Sequence, residues 1–68
     1  MSTTYKKLGI KVRKLRKVKG LTQEELAERI GRDPRTIVAI EAGERNPTLQ
    51  TIQRLSKALG VPQSELLS

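Results

Sequence analysis

Sixty-eight residues with a formal charge of +7 make one small basic domain with room for only a modest hydrophobic core. Cysteine and histidine are both absent, which excludes a disulfide framework and removes the commonest general base and the usual zinc ligands. No apolar run approaches the roughly 20 residues that span a bilayer, and no signal peptide is visible. The expectation is a soluble, cytoplasmic protein that is not an enzyme and carries no metal or cofactor.

The charge is unevenly spread. Residues 1–20 hold eight Lys or Arg (Lys6, Lys7, Lys11, Arg13, Lys14, Arg16, Lys17, Lys19) and no acid, whereas residues 21–68 hold six basic and seven acidic residues. Such polarity steers a domain toward a polyanion. The plain alternative is a solvated helix face that keeps the chain in solution.

Residues 1–6 are expected to form a flexible tail, followed by a single domain over 7–68. From about Lys7 to Lys19, Leu8, Val12 and Leu15 share one helical face, with Ile10 pointing away from it and Gly20 as the stop. Thr22 begins the second helix with Glu25 three residues on, a capping box in which each side chain satisfies the other's backbone N–H. Leu21 and Leu26 are placed as the hydrophobic staple, Leu26, Ala27 and Ile30 form the buried stripe, and Gly31 ends the helix. The third helix takes Asp33 as N-cap and Pro34 at N1, where a missing N–H costs nothing. It runs to about Glu41 or Ala42 and stops at Gly43. Asn46-Pro47 forces a turn and Thr48 caps a fourth helix, for which Leu49, Ile52, Leu55 and Leu59 supply the apolar face before Gly60. Pro62 opens a last short helix holding Leu66 and Leu67. Period-2 alternation is missing throughout, so the fold class is all-α, a compact five-helix bundle.

Two short helices joined by a tight turn, in a basic chain, are what presentation of a helix to a DNA major groove requires. On the third helix Ile37 and Ile40 define the buried side, Arg35, Ala39 and Ala42 lie opposite, and Thr36 and Val38 flank. Arg35 is the candidate base reader, because its planar fork fits guanine O6 and N7 together. Thr36 offers a hydrogen bond or a methyl group, and Val38 and Ala39 offer apolar contacts such as those with a thymine methyl. Gln23 and the N–H groups at the start of the second helix are candidate phosphate ligands. Arg32 in the turn, with Arg45 and Asn46 beyond the third helix, would clamp the flanking backbone. The outer face of the third helix is nonetheless poor in polar groups. Either a few contacts combine with DNA shape, or Val38, Ala39 and Ala42 form a protein-binding surface.

The ordered set Val12-Arg-Lys-Leu-Arg16, Gly20-Leu-Thr-Gln-Glu-Glu-Leu-Ala27, Gly31, Ile37, Ile40-Glu-Ala-Gly43, Asn46-Pro47 and Ala58-Leu-Gly-Val61 resembles the lambda-repressor-like helix-turn-helix family, Cro/Xre type, from Leu8 to Leu67. The resemblance implies that the second and third helices form the helix-turn-helix. It also implies DNA contacts at Gln23, Arg32, Asp33, Pro34, Arg35, Thr36, Ala39, Arg45 and Asn46, and a homodimer on two-fold related half-sites. A pairing of Arg16 with Glu41 is implied as well, and helical phasing independently permits it. The sequence departs from the family's usual polar readers at Pro34, Val38 and Ala39. No C-terminal extension is expected to add ligand sensing or a second dimerisation domain. Val61, Leu66 and Leu67 are the candidate dimer interface, with capping of the monomer core as the alternative.

The reading that follows is a transcriptional regulator, a repressor, binding a two-fold symmetric operator on double-stranded DNA as a homodimer, with helix 34–42 in the major groove. Phage repressor, restriction-modification controller and antitoxin are equally compatible with it. The alternative from another class is a protein-interaction adaptor or antitoxin-type module that recruits a protein partner. Membrane-surface binding by the first helix is disfavoured, because Leu8, Val12 and Leu15 are needed for the core.

Overall fold

The computed structural model describes residues 3–68, which form α1 (Thr3–Val18), α2 (Gln23–Ile30), α3 (Pro34–Glu41), α4 (Leu49–Leu59) and α5 (Gln63–Leu67), with no strand among them. Local chemistry sets most boundaries. The Glu25 N–H donates to Thr22 Oγ1 at 3.0 Å while the Thr22 N–H donates to Glu25 Oε1 at 2.8 Å, completing the capping box of α2. Those bonds hold the Glu25 carboxyl below its ordinary pKa, the backbone bond from Thr22 contributing most. The Asp33 carboxylate accepts the Arg35 N–H at 2.8 Å to cap α3, and Thr48 Oγ1 accepts the Thr51 N–H at 3.2 Å to cap α4. Gly31 ends α2 at φ 68°, which lets the Arg32 N–H return to the Ala27 carbonyl at 2.9 Å. That left-handed residue turns the chain out of α2, and α3 starts at Pro34 and packs against α2.

The core is built from one stripe of each helix. Leu8 and Val12 of α1, Leu26, Ala27 and Ile30 of α2, Ile37 and Ile40 of α3, and Ile52, Leu55 and Leu59 of α4 are all buried, with Leu15 packed alongside. The backbones of α1 and α3 come together at Gly9. A Cβ added there would lie 2.7 Å from the Glu41 carbonyl oxygen and would also collide with the Ile40 carbonyl oxygen. Gly9 weakens the helix it sits in, yet its missing side chain lets the two backbones touch.

The structure differs from expectation at the start of the first helix and at Leu49. The first helix begins at Thr3 rather than Lys7, so of the tail expected over 1–6 only Met1 and Ser2 lie outside the described residues. The added turn has a tertiary partner: the Lys6 backbone lies against Gly43, where an added Cβ would come within 3.1 Å of the Lys6 Cα, and Tyr5 is half-buried. Leu49 was expected on the apolar face of α4 but is 66% exposed. It occupies the first turn, where side chains lean back past the end of the helix, and Thr51 is buried in the layer that Leu49 leaves. Among the candidate interface residues, Leu66 is buried in the monomer's own core and Val61 packs against it, leaving only Leu67 exposed.

Candidate nucleic-acid interface

With Ile37 and Ile40 turned inward, α3 shows solvent a face centred on Arg35 and Ala42, with Val38 beside them and Thr36 and Ala39 half-buried. Ala39 had been placed opposite the buried side. It is instead half-buried, and the chain turns out of α3 just beyond it at Gly43, where the Glu44 N–H donates to the Ala39 carbonyl at 3.0 Å.

The Arg35 guanidinium lies on the Asp33 carboxylate in a fork, Nε donating to Oδ1 at 3.1 Å and Nη2 to Oδ2 at 3.0 Å. These bonds, with the capping N–H next in importance, pull the Asp33 carboxyl down to about 2 and raise the Arg35 pKa. Both side chains stand in water, at 91% and 50% exposure, so the pair contributes little to stability. Its effect is to hold the guanidinium plane at the N-terminal end of α3.

At the other end of the helix an Arg–carboxylate fork is buried. Arg16 Nε donates to Glu41 Oε2 at 2.6 Å and Nη2 to Oε1 at 3.0 Å, with side-chain exposures of 10% and 4%. Arg16 Nη1 also donates to the Leu21 carbonyl at 2.8 Å, so one side chain ties α1, the α1–α2 turn and α3 together. The Glu41 hydrogen bond raises the Arg16 pKa against the opposing effect of burial. Gln23, proposed from sequence as a phosphate ligand, donates from Nε2 to Glu41 Oε1 at 3.1 Å. It therefore belongs to this junction as well as to the start of α2.

Grooves run along both flanks of α3. One is lined by Arg32, Thr36, Arg45, Asn46, Pro47 and Thr48 and has Arg45 Nη1 donating to Thr36 Oγ1 at 3.2 Å. Arg32 Nη2 is held at 3.0 Å by Gln50 Oε1. The other is lined by Arg13, Arg16, Gln23, Val38, Glu41 and Ala42. Thr36 and Val38 mark opposite flanks because two residues turn a helix by roughly 200°. The structure thus gathers Arg32, Thr36, Arg45 and Asn46 on one side, Gln23 and Val38 on the other, and Asp33, Pro34 and Arg35 at the tip.

Sequence reasoning missed two contacts that fix this face. Arg54 of α4 donates from Nη1 to the Ile30 carbonyl at 2.9 Å, holding the end of α2. Gly9 sets the α1–α3 spacing, and a glycine in the middle of an otherwise strong helical segment was the available signal. Among the described residues no group of three or more His, Cys, Asp or Glu could hold a metal ion, and no helix is long and apolar enough to cross a membrane.

Residues 12–66 match the family model described as helix-turn-helix. The chain is 43% identical over 63 residues to a helix-turn-helix-type transcriptional regulator of Sinorhizobium fredii, covering 93% of this chain and 82% of that protein. It is 45% identical over 58 residues to the phage CTXphi transcriptional repressor RstR from Vibrio cholerae, covering 85% of this chain and 52% of the repressor. The crystal structure of the restriction-modification controller protein C.AhdI from Aeromonas hydrophila superposes with a TM-score of 0.91 at 38% identity, covering 96% of this chain and 98% of that one.

Proposed function

Because this chain belongs to the helix-turn-helix family, we propose that it is a sequence-specific DNA-binding transcriptional regulator, a repressor, acting in the cytoplasm. The observation that carries the proposal is the Asp33-held guanidinium of Arg35, presented at the tip of α3 between two grooves that contain arginines.

In this reading α3 enters the major groove with Arg35 leading. Its planar fork donates to guanine O6 and N7, a contact worth about 1–3 kcal/mol of discrimination. Asp33 keeps the plane oriented, so less side-chain freedom is lost on binding. Pro34 and Thr36 approach the same bases, while Val38 and Ala39 meet thymine methyl groups. Arg32, Arg45 and Asn46 grip the phosphates along one edge, and Gln23 with the N–H groups opening α2 grips the other. The charge of α1 adds long-range attraction that accelerates encounter without choosing a sequence.

A homodimer would place two such helices on half-sites about one helical turn apart, and the operator would share the two-fold symmetry of the protein. With Leu66 committed to the core, exposed Leu67 is the remaining candidate among the three expected interface residues. Exposure of Val38 at 48% favours a second reading, in which a protein partner covers the Val38–Ala42 face.

Selection of random duplexes by the purified protein, with sequencing of the bound pool, tests the proposal. A palindromic consensus containing a guanine in each half-site is expected. A pool without consensus, combined with a steep salt dependence, would reduce the interaction to phosphate binding and overturn the regulator reading.

A further inference from the structure

We propose that Arg13 of α1 is a phosphate-contacting residue that grips the DNA strand on the Val38 side of α3. This rests on the reading of α3 as the helix that enters the major groove. A helix in that groove is bordered by two phosphate backbones, one along each flank. The Thr36 flank has two arginines, Arg32 and Arg45. On the opposite flank the groove contains Arg13 and Arg16, and Arg16 is spent on Glu41 and the Leu21 carbonyl. Arg13 is exposed and lies in the same groove as Gln23, Val38 and Ala42, so it is the cation placed to balance the Thr36 side. Its position is rigid, because the α1–α3 contact at Gly9 and the Arg16–Glu41 fork fix α1 against α3 on this side of the helix. Lys14 is the next residue but projects to another part of α1, lining a separate groove with Lys7, Ile10, Lys11 and Ser68. Two neighbouring cations of equal charge therefore line different grooves.

The test measures duplex affinity across a salt series for the wild type, Arg13→Ala, Arg13→Lys and Lys14→Ala, with circular dichroism confirming an unchanged fold. Each phosphate contact contributes about 0.9 to the slope of log affinity against log salt, so a homodimer that loses one contact from each protomer loses about 1.8. Arg13→Ala is expected to show that loss, and to weaken the selected site and a scrambled duplex by the same factor. Arg13→Lys is expected to retain the slope, and Lys14→Ala is expected to leave it unchanged. Equal slope losses for Arg13→Ala and Lys14→Ala would mean a diffuse field and overturn the contact, as would an unchanged slope for Arg13→Ala. A wild type that binds no duplex would instead remove the DNA-binding reading itself, and the inference with it.

Discussion

Two Arg–carboxylate forks bracket the third helix, and they share bond geometry while differing in almost everything else. Arg16–Glu41 at the C-terminal end is nearly dry, with exposures of 10% and 4%, and carries a third bond to the Leu21 carbonyl. Asp33–Arg35 at the N-terminal end stands in water at 50% and 91% and connects residues two apart in one chain segment. Solvent decides what each accomplishes. In the dry site, removing one partner strands a charge, so the fork fixes the helix to the scaffold. In the wet site, water replaces any lost bond, so the fork orients a guanidinium that stays open to solvent without holding the fold. One end of the helix is held and the other is offered.

The contrast can be broken at the buried end with the largest effect. Glu41→Ala should destabilise the fold by about 3 kcal/mol or more, since it leaves the Arg16 guanidinium unpaired, as read by chemical denaturation. For a domain of this size that is a large share of total stability. Replacing both partners, Arg16→Met with Glu41→Leu, should recover much of the loss. Recovery would show that the single-variant cost is the stranded charge.

Gly9→Ala sharpens the same comparison from the α1 side. Helix propensity alone favours alanine by about 1 kcal/mol. The collision with the Ile40 and Glu41 carbonyls opposes that and should win, giving a net loss of about 1–2 kcal/mol. A higher melting temperature for this variant would show that α1 and α3 are not in backbone contact. Thr22→Ala, which removes the capping box away from either fork, should cost about 1 kcal/mol.

The exposed fork gives the smallest stability effect and a clean spectroscopic one. Asp33 has its carboxyl lowered from 3.8 to about 2. A carboxyl lowered on folding contributes stability that is present above its unfolded pKa and is lost as the pH falls through the folded value. The window is therefore about pH 4 down to 2, and the loss is slight because the pair is solvated. Carbon-detected NMR titration should place the Asp33 midpoint near 2, and Arg35→Ala should move it up toward 3.8, because the Arg35 side chain is the largest cause of the shift.

What could be read in advance follows the range of the interactions. Thr22 with Glu25, Asp33 with Pro34, and Thr48 with Gly60 act within a turn of their own helix, so their boundaries could be read from residue type and spacing. Lys6 against Gly43 and Arg54 on the Ile30 carbonyl are contacts between segments distant in sequence, and no local pattern contains them. Leu49 fits a helical stripe on paper, but at the first position of α4 it is left exposed while Thr51 and Ile52 of the same turn are buried. The site divides the same way. Arg35 stands out as a planar donor at a helix start, whereas the link from Gln23 to Glu41 depends on how α2 meets α3.

The most direct measurement compares Arg35→Ala with the wild type on the selected operator and on the same operator with its half-site guanines replaced by adenine, alongside both melting temperatures. The account predicts that the wild type discriminates by about 1–3 kcal/mol per contacted guanine and that Arg35→Ala loses this discrimination with its melting temperature unchanged. Full discrimination by Arg35→Ala, or its loss only together with the fold, would contradict the division between a fork that holds and a fork that reads.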